Sequence, residues 1–328
     1  MGDRFKGMTM KKQNTPVLWC LLLVIWLCWR TVARAESHGH PHPAFVPTLH
    51  MAHSRIGPGG QNFSRHTFMI IVVTSPAHQP QRREWQRKQW QKSLQLLSAN
   101  SSFSPTFDFV YRFCIGNQNL SHHLSQLDDE QRLFGDLQFV NSLDYDDESV
   151  QQLRPFATSA TTTKVLAAVK WAVQTYTFQY LLRLGDDAYF KPEAFVHQFK
   201  GGLLPASLAC ICFLVPTMTY TTTAGEVKAP YPSGMGFVLT YDVAAWLSEA
   251  QDMLMVGAPE DGMVGLWFAG TRIRLHHHNG FRDINWRSEG EDLLVHVLRD
   301  QEAWDTIDPQ GNIPCGGDLR PATLSGIP

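Results

Sequence analysis

The sequence carries almost no net charge: 28 Lys and Arg against 30 Asp and Glu leave −2 over 328 residues. Such a chain has no global basic field, so no nucleic-acid partner is expected and any charged ligand must be bound locally. Cysteine is also scarce. Of the 6 present, Cys20 and Cys28 fall in an apolar run, which leaves Cys114, Cys210, Cys212 and Cys315. These allow at most two disulfides, and their pairing is not readable from the sequence. Cys210 and Cys212 alternate onto one face of an expected strand, which argues against a bridge between them. No internal repeat is found. What remains is a hydrophobic share of 44%, ordinary for a globular protein, and length for one large domain or two small ones plus an appendage.

The appendage is N-terminal. Arg4, Lys6, Lys11 and Lys12 precede Val17–Trp29, a run without a charged residue, and Arg30 follows. A basic flank before an apolar run keeps the N-terminus in the cytoplasm and sends the rest across the membrane. Two readings stay open. Ala33-Arg34-Ala35 resembles a signal-peptide cleavage site, while an uncleaved signal anchor would let Arg30 snorkel and extend the span. Both put the remainder in a lumen or outside, and three glycosylation sequons, at Asn62, Asn100 and Asn119, agree. The expected organisation is a cytoplasmic tail over 1–15, an anchor or signal over 16–33, a His-, Pro- and Gly-rich stem over 34–66 and a luminal domain over 67–328. The stem histidines at 38, 40, 42, 50 and 53 are read as composition in preference to a metal site.

From Thr67 the periodicity predicts strands at 67–75, 106–115, 136–140 and 180–184, with helices at 82–98, 124–134 and 161–178 between them. Such alternation implies an α/β fold on a mainly parallel sheet, with binding groups at the C-terminal ends of the strands. After Leu208 the pattern becomes more mixed. The fourth strand runs into Gly185-Asp186-Asp187. Paired carboxylates at a strand end make a hard-cation site, although two Asp in a turn are by themselves more often a solvated turn or a helix cap. Glu260-Asp261, after Pro259, likewise reads first as helix-start capping.

Seven segments, in order along residues 67–305, change that weighting. They are FMIIVVTSP with RREWQRKQW, Phe113-Cys-Ile-Gly116, TTTKVLAAVKW, RLGDDAYFKP, YPSGMGFVLTYD, Pro259-Glu260-Asp261-Gly-Met-Val-Gly265, and DLLVHVLRDQEAW. Together they resemble the β-1,3-glycosyltransferase family, which transfers galactose or N-acetylglucosamine and includes the fringe enzymes. The resemblance implies a GT-A type, Rossmann-like nucleotide-sugar transferase domain behind a single N-terminal membrane anchor. It implies a Golgi membrane protein, single-pass type II, with its catalytic domain in the lumen. The expected activity is inverting, metal-dependent transfer from UDP-galactose or UDP-N-acetylglucosamine to a glycan acceptor.

Residue by residue, the resemblance makes Asp187 and His296 ligands of a divalent metal, usually Mn2+, and places Asp186 beside ribose and metal. Asp261 becomes the catalytic base that takes the acceptor hydroxyl's proton in one in-line displacement. Ser75, Arg83, Arg87 and Lys164 are assigned to donor binding, and Tyr231, Gly234, Gly236 and Glu260 to a loop near donor sugar and acceptor. His276, His277 and His278 read as a loop near the site. The chain departs from the family pattern at Gly185, where the first Asp of D-D-D is expected, at Gln89, where Thr or Ser precedes the helix Trp, and in a shortened Tyr-Pro loop. These departures keep a catalytically inactive luminal scaffold or chaperone subunit open as the alternative. A luminal metal hydrolase is disfavoured, because the histidines at 276–278 are its only candidates and their place in the chain does not fit such a site.

Overall fold

A computed structural model describes residues 66–99, 107–118, 120–144, 159–222, 225–257, 259–283, 292–296, 298 and 300–307. All lie within the compact unit Ser54–Pro328. The expected tail, anchor and most of the stem, the three sequons and Cys315 lie outside the described residues. Among the described residues no helix is long and apolar enough to cross a membrane.

The first strand, β1 (His66–Thr74), is buried along its whole length after His66. An unbroken apolar run of this kind suits a central strand covered on both faces. Helix α1 (Pro80–Ala99) follows, with Pro at its start where a missing N–H costs nothing. Then come β2 (Phe109–Gln118), α2 (Leu124–Phe134), β3 (Leu137–Leu143), α3 (Ser159–Thr175) and β4 (Thr177–Gly185). Strands β1 to β4 form the parallel part of a seven-stranded sheet. Next are β5 (Ala188–Phe190) and α4 (Pro192–Lys200), then the long antiparallel pair β6 (Ala209–Thr222) and β7 (Gly225–Thr240). The chain continues through α5 (Tyr241–Ala250), α6 (Glu260–Phe268), β8 (Arg274–His277), β9 (Phe281–Asp283), β10 (Leu294–His296) and α7 (Gln301–Asp305).

Sheet order is β3-β2-β1-β4-β7-β6-β8, beside a small sheet β5-β10-β9. The expectation of a mainly parallel sheet holds for the first four strands. It fails beyond them, because β7 joins β4 antiparallel and β6 joins β7 antiparallel. A hairpin can reach the edge of β4 without the crossover helix that a parallel strand needs. The predicted helix over 161–178 ends at Thr175, and Phe178 belongs to β4. Its ring instead meets Tyr241 at a 5.1 Å centroid distance.

Alternation along β1 sorts the core. Met69, Ile71 and Val73 face a layer with Trp90, Leu127, Phe195 and Trp304, whereas Ile70 and Val72 face Val165, Val169, Leu247 and Val264. Helices α1, α2, α4 and α7 therefore cover one face, and α3, α5 and α6 the other. Each of these buried aliphatic side chains contributes about 1.5–3 kcal/mol. Cys114, Cys210 and Cys212 are buried and unbridged, as the one-face argument for the last two required.

Candidate active site

The connection from β1 runs out to β2 and β3 on one side, then returns through α3 to β4 on the other. Strand order thus reverses between β1 and β4. At such a switch point the loops leaving the two C-terminal ends diverge and open a crevice. A cavity of about 200 Å³ sits there, lined by Thr74, Ser75, Pro76, Thr161, Lys164, Arg183, Gly185, Asp186, Asp187 and Gly234. A larger depression of about 320 Å³, lined by Trp85, Lys88, Gln89, Gln91, Gln301, Trp304 and Asp305, lacks such convergent titratable groups. Volume alone does not locate the chemistry.

Asp186 closes the crevice floor. Its carboxylate accepts from Ser75 Oγ at 3.0 Å and from Arg82 Nη1 at 3.3 Å. Burial pushes it above the ordinary carboxylate range, opposed by Arg82, with the neighbouring Asp187 adding to the rise. Asp187 turns the other way. Its Oδ1 lies 3.4 Å from His296 Nε2, and Nδ1 of the same imidazole lies 3.9 Å from Asp283 Oδ2. The small sheet builds this arrangement, because β10 sets His296 opposite Ala188 on one side and Asp283 on the other. Two donors each roughly 2.0–2.2 Å from one cation stand about 3 Å apart at right angles, so the carboxylate–imidazole pair fits a shared metal ion. Asp283 lies behind the imidazole, farther off than a hydrogen bond reaches.

Helix α6 begins directly after Pro259 with Glu260 and Asp261, and Asp261 abuts Gly234 of the crevice lining. Asp261 Oδ1 accepts from the Gly262 N–H at 2.7 Å. Burial raises its pKa, and the Gly262 amide and Arg183 act against that rise. A partly desolvated carboxylate at a helix N-terminus is placed to accept a proton. The glycines of this region serve close packing. A Cβ on Gly234 would lie 3.3 Å from Asp261 Oδ2, and Gly236 (φ 147°) leaves no room beside Arg183 O and Leu294. On Gly265 a Cβ would fall 2.5 Å from both Pro230 O and Tyr231 Cβ. Gly265→Ala is therefore expected to lift α6 from β7, at a cost of about 1–3 kcal/mol. A thermal melt measures that cost, and activity should fall further than stability because α6 carries Asp261.

The remaining residues expected at the site divide. Lys164 is buried beneath the β1–α1 loop, pairs with Asp144 and donates to Ser75 O at 3.3 Å. Asp144 in turn accepts from Ala77 N at 2.6 Å and Gly116 N at 3.1 Å. Arg83 donates to Ser75 Oγ at 3.0 Å, to Pro76 O at 2.6 Å and to Ala77 O at 3.1 Å, with Glu130 as its counter-charge. Both therefore hold the loop that forms the crevice wall. Arg87 does not line the crevice. Its guanidinium lies between Glu130 and Asp136, over the rings of Phe113 and Phe134. Burial, and then the neighbouring Asp261, raise the pKa of the Tyr231 hydroxyl. His277 accepts from Leu214 N at 3.1 Å, and Gly280 N donates to His278 at 3.0 Å. Among the described residues no cluster of three or more His, Cys, Asp or Glu gathers around a metal position.

The family model for galactosyltransferases matches residues 81–279. The chain belongs to the galactosyltransferase family. It is similar to mouse beta-1,3-galactosyltransferase 6, 24% identical over 255 residues that cover 74% of this chain and 72% of that relative. Two solved structures overlap it weakly. A glycosyltransferase involved in glycosylation of the major capsid of PBCV-1 is 10% identical, with a TM-score of 0.38 over 73% of this chain and 97% of that one. Mouse xyloside xylosyltransferase 1, in its apo form, is 11% identical, with a TM-score of 0.35 over 70% of this chain and 97% of that one.

As a divergent galactosyltransferase-family member the chain is a glycosyltransferase, acting between a nucleotide-sugar donor and a glycan acceptor. Two departures from the family pattern have local reasons. A Cβ at Gly185 would lie 2.9 Å from Asp187 Oδ1, so an Asp there would shift the Asp187 carboxylate from its present seat. Gln89 is buried and donates to Trp304 O at 3.4 Å, tying α1 to α7. Sequence reasoning missed Asp144, Asp283 and Arg183. Asp144 and Asp283 carry no local signal, since only long-range register brings them in. Arg183 did carry one: it is the single charge in the buried run YLLRLG, and a buried charge demands a partner.

Proposed function

We propose that this galactosyltransferase-family chain is an inverting, metal-dependent β-1,3-glycosyltransferase. Its donor is UDP-galactose, with UDP-N-acetylglucosamine as the second donor to test, and its acceptor is a sugar hydroxyl. The supporting observation is that one crevice is lined both by Asp187, which lies 3.4 Å from His296, and by Gly234, which packs against the Asp261 carboxylate. Asp187 and His296 would hold a divalent cation, for which a mixed carboxylate and imidazole set suits Mn2+. When bound, that ion would neutralise charge on the departing pyrophosphate. Ser75, Asp186 and the loop held by Arg83 and Lys164 bind and orient the nucleoside end. Asp261 takes the proton from the attacking hydroxyl on the face opposite the leaving group. A single base is enough, because no covalent sugar–enzyme intermediate has to be resolved. Tyr231 and Gly234 border the acceptor side, with Gly236 packed beneath and Glu260, against the expectation for it, buried against Arg183. In the cell the reading places the domain in the Golgi lumen, tethered by residues 16–33.

The test is a transfer assay on the full chain with Mn2+, each UDP-sugar separately, and a broad panel of glycan acceptors, with product and released UDP both measured. Transfer from UDP-galactose that stops on chelation and returns with Mn2+ is the expected result. Donor binding without transfer from either nucleotide sugar would instead favour the inactive scaffold.

A further inference from the structure

The geometry points to Arg183 as a positioning residue for transfer, a buried strut that, paired with Glu260, holds Asp261 and Gly234 in place relative to the Asp186–Asp187 turn. This rests on the reading of Asp261 as the base. Arg183 lies on β4, three residues before Asp186, and its side chain is only 6% exposed. One arm of its guanidinium meets Glu260 Oε2 at 2.7 Å, and another donates to Gly234 O at 3.0 Å. Glu260 precedes Asp261 on α6, and Gly234 lies under the Asp261 carboxylate. One side chain thus ties the strand that ends in the acidic turn to the two segments that seat the base. A planar fork can do this, whereas a single ammonium cannot.

Stability alone does not explain the pair. Apolar residues of similar volume usually serve a buried position as well as an ion pair or better. Here the pair is also incompletely satisfied, since Arg183 Nε and Glu260 Oε1 have no hydrogen-bond partner among the described residues. The groups facing Asp261 are Arg183 from β4, Glu260 and the Gly262 N–H from α6, Tyr231 and Gly234 from β7, and Tyr220 from β6. Both tyrosines are pushed up by burial and stay neutral through the working range, Tyr220 to about 12. Arg183 is the one cation of the set. Burial raises both carboxylates above the ordinary range, Arg183 opposing the rise in each, and Asp261 is the one that also accepts from the Gly262 N–H.

The test compares Glu260→Gln, Arg183→Gln and the double variant in the full chain, reading the acid limb of the kcat/KM profile. In parallel, the Asp261 13Cγ titration is followed in selectively labelled protein, assigned with Asp261→Asn. Glu260→Gln removes a neighbouring negative charge and moves the limb to lower pH. Arg183→Gln leaves two buried carboxylates together and moves it to higher pH, each by about 1–3 pH units. The double variant returns toward the wild-type limb. If kcat falls in the single variants while limb and titration stay put, the pair is only packing and the inference is overturned. Glu260→Gln is isosteric and decides the matter should Arg183→Gln fail to fold. Absence of transfer by the wild-type chain overturns the functional reading instead, and the 13Cγ titration then still decides the inference.

Discussion

Replacing Asp261 by Asn is expected to lower kcat by about 10²–10⁴-fold, the usual contribution of a positioned general base, with little change in UDP-sugar binding. Asn keeps the shape, and its carbonyl oxygen can still accept from the Gly262 N–H that now donates at 2.7 Å. What it lacks is a site for the acceptor's proton. The wild-type profile should also fall on the acid side. Burial raises the Asp261 pKa in the folded protein, so the carboxylate protonates at a higher pH than an exposed Asp would, and the base is lost as pH drops through that value. The variant should lose that limb along with the rate. Steady-state kinetics against pH, with donor affinity by calorimetry, separate the outcomes. A variant turning over at the wild-type rate would remove Asp261 from the mechanism. Equal losses of rate and UDP affinity would indicate that α6 had collapsed.

Local pattern made much of this site legible. β1 and β4 announced themselves by unbroken apolar runs, the acidic turn by its place at a strand end, and α6 by Pro259 before two carboxylates. Position along the chain could not show what lies across the crevice. Asp283 reaches His296 only through the pairing of β9 with β10, and Asp144 reaches Lys164 across the ends of β2 and β3. The antiparallel arrival of β7 was hidden for the same reason, since strand direction depends on a partner and not on the strand's own pattern. Arg83 and Arg87 expose a different limit. Spacing put them correctly on one helix face, and that face turned out to be buried against α2. A basic face reads alike whether it meets a phosphate or a buried glutamate.

Arg87 makes that difference measurable. Arg87→Met is expected to cost about 3–5 kcal/mol, the range for removing one partner from a buried ion pair, while leaving the KM for the UDP-sugar nearly unchanged. Methionine can replace the aliphatic stem that packs near Phe113 and Phe134 but cannot serve the carboxylates. Asp136 would lose contacts of 2.8 Å and 2.7 Å from the same guanidinium, and Glu130 would keep only Arg83. At about 2–4 °C per kcal/mol for a domain of this size, Tm should fall by roughly 6–20 °C. The pH dependence has a definite sign. Burial by itself would raise the Glu130 pKa, but Arg83 and then Arg87 outweigh it and hold the carboxylate below the ordinary range. A carboxylate depressed in the folded state contributes stability above its unfolded pKa and loses it as pH falls through the folded value. The variant should therefore differ most from wild type near neutrality, and the gap should narrow as pH falls through the carboxylate range. A variant with unchanged Tm but a raised donor KM would return Arg87 to the nucleotide and remove the structural role argued from its contacts.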